Sequence, residues 1–309
     1  MICVYCGRET KGTREHIISS GVLDLFPECF MTFDGEREKL YPSDPVVKDV
    51  CAECNNKRIS YIDTYANNII QKQFVKMYEK DDELIFEYDL TLVQKMCLKY
   101  AFNDLRSRKK DTVFFDNEIK DFIANDSLST PLRNITIMAG LAINTSPMPN
   151  FAFGNNKIRW GDNPFLLSNS IVLHVDYDTG FIQIRDALER QELPKLAISY
   201  IFRFNSLQLL MLCWDKSIDD KMLYQNEVLL AYQYPYQLLK TSGITTLSRC
   251  TSEVTFHIEK LIDVTWGQAL MDDISEMRGT FTEDYQRYLQ LIGTEWESTE
   301  ITLANEHPR

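Results

Sequence analysis

Two short stretches, Cys3-Val4-Tyr5-Cys6-Gly7 and Cys51-Ala52-Glu53-Cys54-Asn55, decide how the first part of this chain folds. Two residues between a pair of thiols allow one tight turn to present both sulfurs to a single metal ion. Gly7 fits such a turn because the chain must change direction sharply there. Two unrelated pairs of buried cysteines are the alternative. We predict a structural zinc ion held by Cys3, Cys6, Cys51 and Cys54.

The composition predicts folded domains, because 44% of the residues are hydrophobic and 25% are charged. A length of 309 residues allows two or three structural units. The net charge of −12 argues against broad, non-specific binding of nucleic acid, and residues 1–65 alone hold eight Lys or Arg against eleven Asp or Glu. Contact with nucleic acid therefore needs a local patch, a bound metal ion or a partner subunit.

The sequence pattern predicts neither a membrane-spanning segment nor a signal peptide. No apolar run has the length of a membrane span, and the first residues lack the layout of a signal peptide. We therefore expect a soluble, cytoplasmic protein with no membrane partner. In that reducing compartment the eight cysteines indicate metal binding and core packing rather than disulfides.

The hydrophobic periodicity of residues 1–150 alternates between strand and helix. It predicts a strand that ends at His16, a hairpin around Asp34-Gly35 and a strand at 46–50. A stripe of apolar residues from Ile59 to Met77 predicts a long helix. Further patterns predict a strand at 84–90, a helix at 91–106 with Thr91 as its N-cap, a helix at 117–125 and a linker at 146–150.

The pattern after residue 165 is richer in strands. Two hairpins are predicted, with turns at Asp178-Thr179 and Asn205-Ser206, and the apolar segments 227–234 and 253–262 are predicted to add strands. The last forty residues suggest a helix. The fold class is therefore α+β, with a zinc-containing core at 1–66, a helical region at 67–150 and a strand-rich region with a terminal helix at 151–309.

Residues 14–18, Arg14-Glu15-His16-Ile17-Ile18, lie between the two cysteine pairs, and Cys54-Asn55-Asn56-Lys57 follows the second pair. The order Cys-x-x-Cys, Glu-His-Ile-Ile, Cys-x-x-Cys-Asn resembles the HNH endonuclease family. Several members of this family carry the same cysteines around a ββα-metal core. The resemblance covers residues 1–65, about a fifth of the chain, and implies a ββα-metal core there.

The resemblance implies a role for each residue of the motif. His16 corresponds to the general base that activates water, and Glu15 and Asn55 correspond to the ligands of a catalytic Mg²⁺ or Mn²⁺. Lys57 and Arg58, one turn into the next helix, are candidates for holding a phosphate of nucleic acid. The plainer alternatives are a structural or zinc-binding role for His16, a surface carboxylate for Glu15 and a helix cap for Asn55.

The sequence departs from the family at two positions: Val46 stands where the middle residue is often Asn, and Ser19 replaces a frequent proline. The function implied is nonetheless hydrolysis of phosphodiester bonds in DNA by a metal-dependent endonuclease. Small HNH nucleases with a large acidic appendage resemble effectors of bacterial defence systems, so we expect residues 67–309 to bind a protein partner or form a homo-oligomer. The alternative is a catalytically inactive module that binds nucleic acid or protein.

Overall fold

The computed structural model describes residues 1–26, 31–34, 39–41, 43–44, 46–76, 78, 81–141, 158–160, 166–168, 174–176, 181–183, 193–204, 206–233 and 236–250. Helices and strands both contribute to the fold, so the prediction of a mixed α+β chain is confirmed. Within the described residues, no helix is both long enough and apolar enough to span a lipid bilayer.

The first unit is a pair of strands followed by a helix. β1 (Gly12–His16) pairs antiparallel with β4 (Val46–Cys51), which leads into a π-helical turn (Cys54–Arg58) and then into α2 (Ser60–Gln73). The strand predicted to end at His16 and the strand predicted before the second cysteine pair are both confirmed. The pairing brings the two ends of a long segment together and places His16 opposite the first residue of β4.

The short helix α1 (Ser20–Leu23) lies between the two strands in sequence and packs on α2. Gly21 lies against α2, where a Cβ atom would lie 2.5 Å from the side-chain nitrogen of Asn67 and would displace that side chain. α2 buries Ile62, Ala66, Ile69 and Ile70 at helical spacing, which confirms the predicted apolar stripe. Together, the two helices form one wall beside the end of β1.

The helix α3 (Leu90–Ser107) packs against both α2 and β4 and is buried on nearly all sides. The prediction of Thr91 as its N-cap is wrong. Asp89 is the cap, because its carboxylate accepts a 3.0 Å hydrogen bond from the backbone N–H of Leu92, whereas the Thr91 hydroxyl donates to the main-chain oxygen of Ser129. The predicted helix at 117–125 is confirmed as α4 (Asn117–Ala124), which packs on α3.

A five-stranded antiparallel sheet forms the rest of the main core. Its order is β13-β6-β12-β11-β8, and the strands are β6 (Ile135–Leu141), β8 (Leu166–Ser168), β11 (Leu196–Phe204), β12 (Leu207–Trp214) and β13 (Gln237–Leu239). The hairpin predicted at Asn205-Ser206 is confirmed by the pairing of β11 with β12. Every residue of β6 and β12 is buried, so the sheet is covered on both faces at these two strands. β6 comes from the predicted helical region at 67–150, whereas the other four strands come from the predicted strand-rich region at 151–309. The sheet therefore combines residues from both predicted regions.

The segment 227–234, predicted as a strand, instead lies largely within the helix α5 (Asp220–Gln233), so that prediction is wrong. The Asp219 carboxylate accepts a 2.8 Å hydrogen bond from the backbone N–H of Met222 and starts the helix. Leu223, Asn226 and Leu230 then face the core at helical spacing. The short apolar run at 227–234 is compatible with a strand or a helix. The N-cap at Asp219 favours the helix.

Smaller strand pairs complete the described residues. β2 (Met31–Asp34) pairs with β3 (Lys39–Tyr41), as predicted around Asp34-Gly35, and also with β7 (Ile158–Trp160). β5 (Leu84–Tyr88) pairs with β14 (Gly243–Leu247). The pairing of β9 (His174–Asp176) with β10 (Phe181–Gln183) agrees with the hairpin predicted at Asp178-Thr179. The predicted linker at 146–150, the strand at 253–262 and the terminal helix lie outside the described residues.

Candidate functional site

The four predicted zinc ligands meet at one end of the β1–β4 pair. The sulfur atoms of Cys3, Cys6, Cys51 and Cys54 all lie within 4.8 Å of one another. Cys3 and Cys6 come from the turn before β1, whereas Cys51 ends β4 and Cys54 begins the π-helical turn. This arrangement of four thiol groups could hold a metal ion such as zinc.

The first cysteine pair lies in a tight turn that confirms the role assigned to Gly7. Gly7 has a φ of +67° and its backbone N–H donates a 2.9 Å hydrogen bond to the main-chain oxygen of Cys3. The turn is also fixed to β4, because the N–H of Val4 donates to the main-chain oxygen of Asp49 over 3.0 Å. A positive φ is strained for residues with a Cβ atom, which explains a glycine at this position.

Backbone N–H groups directed at sulfur favour the thiolate form that a metal ion requires. The N–H of Arg8 is the main cause that lowers the pKa of the Cys6 thiol to about 6. Burial alone would raise the pKa of Cys3, but the N–H groups of Cys6, Cys51 and Tyr5 hold it below its usual value. Burial raises the pKa of Cys54, the thiol furthest from solvent in this cluster, so a bound cation is what would ionise it.

A cleft of about 490 Å³ opens at the other end of β1, where α1 and α2 meet the strand. Polar side chains dominate its walls. The residues that line it are Glu15, His16, Ser19, Ser20, Gly21, Asn55, Asp63, Thr64, Asn67 and Asn68. The three residues that the sequence predicted as catalytic, Glu15, His16 and Asn55, therefore share one cleft.

His16 is the last residue of β1, and its side chain is 31% exposed at the cleft. Burial lowers the pKa of His16 below its ordinary value of 6.5, and this effect outweighs the charge of Glu15, which raises the pKa. The imidazole is therefore neutral at pH 7. Its Nε2 atom lies 3.5 Å from a carboxylate oxygen of Asp44, which favours a proton on Nε2 and leaves Nδ1 as the basic nitrogen.

Glu15 does not lie on the surface, because only 3% of it is exposed. Its Oε1 atom lies 2.8 Å from the Nζ atom of Lys99 and accepts a 3.3 Å hydrogen bond from the amide of Asn103. Lys99 also contacts Oδ1 of Asp63 at 2.5 Å. Burial lowers the pKa of Lys99, but the charges of Asp63 and Glu15 raise it above its usual value, so the ammonium stays charged.

The side chain of Asn55 is oriented by β1. Its Nδ2 atom donates to the Thr13 hydroxyl at 3.0 Å and to the main-chain oxygen of Arg14 at 3.2 Å. Both hydrogen bonds use the nitrogen, so the carbonyl oxygen of Asn55 remains for another ligand. Lys99 and Asn103 both contact Oε1 of Glu15, so Oε2 of the same carboxylate remains for a ligand. The two residues thus offer the oxygen donors that Mg²⁺ or Mn²⁺ prefers.

The two residues predicted to hold phosphate do not line the cleft. Lys57 is 72% exposed and lies 3.2 Å from Glu53, one turn earlier. Arg58 reaches α4, where its Nε atom donates a 3.2 Å hydrogen bond to the main-chain oxygen of Ala124, and it lies 3.5 Å from Asp121. Lys57 is therefore accessible to a ligand, whereas Arg58 joins two helices.

Four residues at the site were missed by sequence reasoning: Asp44, Asp63, Lys99 and Asn103. Lys95, Lys99 and Asn103 recur every four residues of α3 and are all fully buried. This polar row along one face of a buried helix is a signal that the sequence does contain. Val46, at the position where HNH nucleases often have Asn, pairs with His16 across the strands. Asn103 of α3 donates a 2.8 Å hydrogen bond to the main-chain oxygen of His16.

Comparisons of the chain with known protein families, with curated proteins and with solved structures found no match. The likeness to HNH nucleases therefore rests on the motif residues quoted above.

Proposed function

We propose that this protein is a metal-dependent HNH-type endonuclease that hydrolyses phosphodiester bonds of DNA, with His16 as the general base. The observation that carries the proposal is the position of His16. A neutral, half-buried imidazole stands at a polar cleft beside Glu15 and Asn55, and the same ββ-helix unit carries the four cysteines at its other end. A histidine in this form is suited to removing a proton from water near neutral pH.

The charge of the cleft supports a requirement for a cation. Glu15 and Asp63 carry two negative charges against one positive charge on Lys99, and His16 is neutral. An empty cleft of this charge repels a phosphate group. Glu15 Oε2 and the carbonyl oxygen of Asn55 would hold Mg²⁺ or Mn²⁺, which would neutralise the phosphate and stabilise the charge that develops on it.

We assign zinc to the four cysteines as a structural ion. Four thiolates close a tetrahedral site and leave no position for a substrate, so this ion would serve folding rather than chemistry. Its ligands come from both ends of the segment that carries His16. Zinc would therefore fix the β1–β4 pair and, through it, the position of the base.

The role of the remaining chain in this proposal is to direct the nuclease. A net charge of −12 gives the body of the protein little general affinity for DNA. Residues 67–309 would bind a protein partner or a second copy, which would recruit the nuclease to its target, in keeping with an effector of bacterial defence that acts in the cytoplasm.

The proposal is tested with supercoiled plasmid DNA and purified protein in Mg²⁺ or Mn²⁺, alone and with the products of neighbouring genes. We expect nicked or linear DNA, and a loss of at least about a hundredfold in rate for His16→Ala. Lys72→Ala, a change on an exposed side chain outside the cleft, is the control and should cleave at the wild-type rate. Cleavage by His16→Ala protein that retains its fold and zinc would overturn the role of His16.

A second candidate is a binding module that keeps the zinc site but lacks catalysis. The contact between Lys99 and Glu15 favours it, since a carboxylate that already binds an ammonium ion is a weaker ligand for a cation. Val46 favours it as well, because it brings no polar side chain to the family's middle position. This candidate predicts that wild-type and His16→Ala proteins bind nucleic acid or protein equally and that neither cleaves DNA.

A further inference from the structure

Lys99 is a buried cation behind the wall of the cleft. Its side chain is fully buried, while Asp63 beside it is 27% exposed, and both of its carboxylate partners line the cleft. The ammonium group therefore cannot touch a ligand in the cleft. It contacts instead the two acidic groups that a ligand would meet.

Stability alone gives no reason for this arrangement. Removing Lys99 and the Glu15 carboxylate from water costs free energy that the attraction between the charges hardly offsets, and apolar residues often replace buried ion pairs without loss. The cluster lies between α2, α3 and β1. The feature that this cluster determines is the charge of the cleft rather than the stability of the core.

We propose that Lys99 is a positioning residue that sets the charge of the cleft, so that a divalent cation binds only weakly and the cation-loaded cleft attracts a phosphodiester. This inference rests on the proposed function and deepens it. Lys99 holds Glu15 and Asp63 in place and cancels one of their two charges.

The consequence follows from the charge at each stage. With Lys99, its cluster with Glu15 and Asp63 carries one negative charge, and a divalent cation turns this cluster positive, which favours the binding of a phosphodiester monoanion. Without Lys99, two negative charges would bind the cation strongly and leave a neutral site with no attraction for phosphate. Lys99 therefore weakens the binding of the cation and strengthens the binding of a phosphodiester to the cation-loaded cleft.

The experiment measures Mn²⁺ binding by electron paramagnetic resonance, with and without dimethyl phosphate as the phosphodiester probe. For Lys99→Met we expect Mn²⁺ alone to bind about tenfold more tightly than to wild type. At saturating Mn²⁺, dimethyl phosphate should bind about tenfold more weakly to Lys99→Met than to wild type. Structural damage does not produce tighter binding, so this direction separates the proposal from a loss of fold.

Two further variants change the net charge of the Lys99, Glu15 and Asp63 cluster in defined steps. They keep the test decisive if Lys99→Met protein fails to fold. Asp63→Asn leaves the cluster with no net charge and should bind Mn²⁺ about tenfold more weakly than wild type. Asp63→Asn with Lys99→Met restores one negative charge and should return to within about threefold of wild type, as should Lys99→Arg. An order of affinities that does not follow the charge overturns the proposal.

The result is independent of DNA cleavage. An inactive wild-type protein whose variants bind Mn²⁺ in the expected order contradicts the nuclease function and supports the role of Lys99. An active protein whose Lys99 variants all bind Mn²⁺ and dimethyl phosphate like wild type contradicts the role of Lys99 and supports the nuclease.

Discussion

The side-chain amide of Asn103 donates a 2.8 Å hydrogen bond to the main-chain oxygen of His16. The same nitrogen donates to Oε1 of Glu15 at 3.3 Å, and the Arg106 guanidinium donates to the Asn103 carbonyl oxygen at 2.5 Å. Arg106 also pairs with Asp49 on β4. One buried amide of α3 thus binds the end of β1, where the candidate base lies, and connects it to the neighbouring strand.

The first prediction follows from this contact. Asn103→Ala should lower the free energy of unfolding by about 1–3 kcal/mol, because it removes the buried donor to the His16 main-chain oxygen and one of the acceptors of the Arg106 guanidinium. It should also lower the cleavage rate per folded molecule, since the end of β1 is no longer held. Urea denaturation and plasmid cleavage measure the two effects.

Asn226→Ala is the matched control for Asn103→Ala. The Asn226 amide also donates to a main-chain oxygen, that of Pro194, but it lies on α5 and not at the cleft. A comparable loss of stability with full activity is expected. If both variants cleave at the wild-type rate, Asn103 has only a structural role.

The sequence predicts the parts of this molecule that depend on neighbours along the chain. The cysteine turns, the strand ending at His16 and the apolar stripe of α2 are short-range patterns, and the structure contains all of them. The contacts of Glu15 were not predictable in this way. They depend on how α3 packs against α2 and β1, and nothing in the sequence gives that packing, although the four-residue spacing of Lys99 and Asn103 indicates that a polar row exists.

The second prediction concerns the cysteine cluster. Cys54→Ser should abolish the binding of one zinc ion per chain and destabilise the protein, because the energy of binding structural zinc is part of the folding energy. Cys97→Ala is the control: this cysteine is buried but does not belong to the cluster, so its change should lower stability and leave the zinc content intact. Elemental analysis and thermal melting distinguish the two. Undiminished zinc in Cys54→Ser protein would contradict the assignment.

The third prediction concerns Gly12, where β1 begins. A Cβ atom at this position would lie 2.0 Å from the main-chain oxygen of Lys48 on the paired strand. Gly12→Ala should therefore push the two strands apart and lower the free energy of unfolding by about 1–3 kcal/mol.

Gly7 offers a contrast to Gly12, because a Cβ atom there meets nothing within 4 Å and only its positive φ restricts substitution. Gly7→Ala should cost about 1–2 kcal/mol, and Gly7→Asn should recover part of that loss, since asparagine tolerates this conformation. Urea unfolding measures these three variants together with Gly12→Asn. Equal recovery by asparagine at position 12 would show that the strain there is conformational and not steric.

The fourth prediction is a pH dependence at the start of α4. Burial raises the pKa of Asp116, but its hydrogen bonds from Lys216 and the N–H of Ile119 outweigh this, so its pKa lies below the ordinary value of 3.8. A depressed pKa contributes stability above the unfolded value, and this stability is lost as pH falls through the folded value. At pH 7, Asp116→Ala should cost about 1 kcal/mol through the lost helix cap, and the difference should shrink below pH 3.8. A difference that is constant with pH would contradict the charged contact.

The fifth prediction concerns the ionisation of His16. Its pKa should lie below 6.5, because burial of the ring outweighs the nearby negative charges. Asp44→Asn removes the carboxylate that lies 3.5 Å from Nε2 and stabilises the charged ring, so the pKa should fall further. Since a general base must be unprotonated, the rise of cleavage rate with pH should follow the same pKa in each protein.

NMR titration, with the His16 signal assigned by its loss in His16→Ala, gives the pKa directly. Asp24→Asn, a change at an exposed acid, is the control, and its cleavage profile should match wild type. A pKa at or above 6.5, or a cleavage profile that ignores the shift in Asp44→Asn, would mean that His16 does not act as the base.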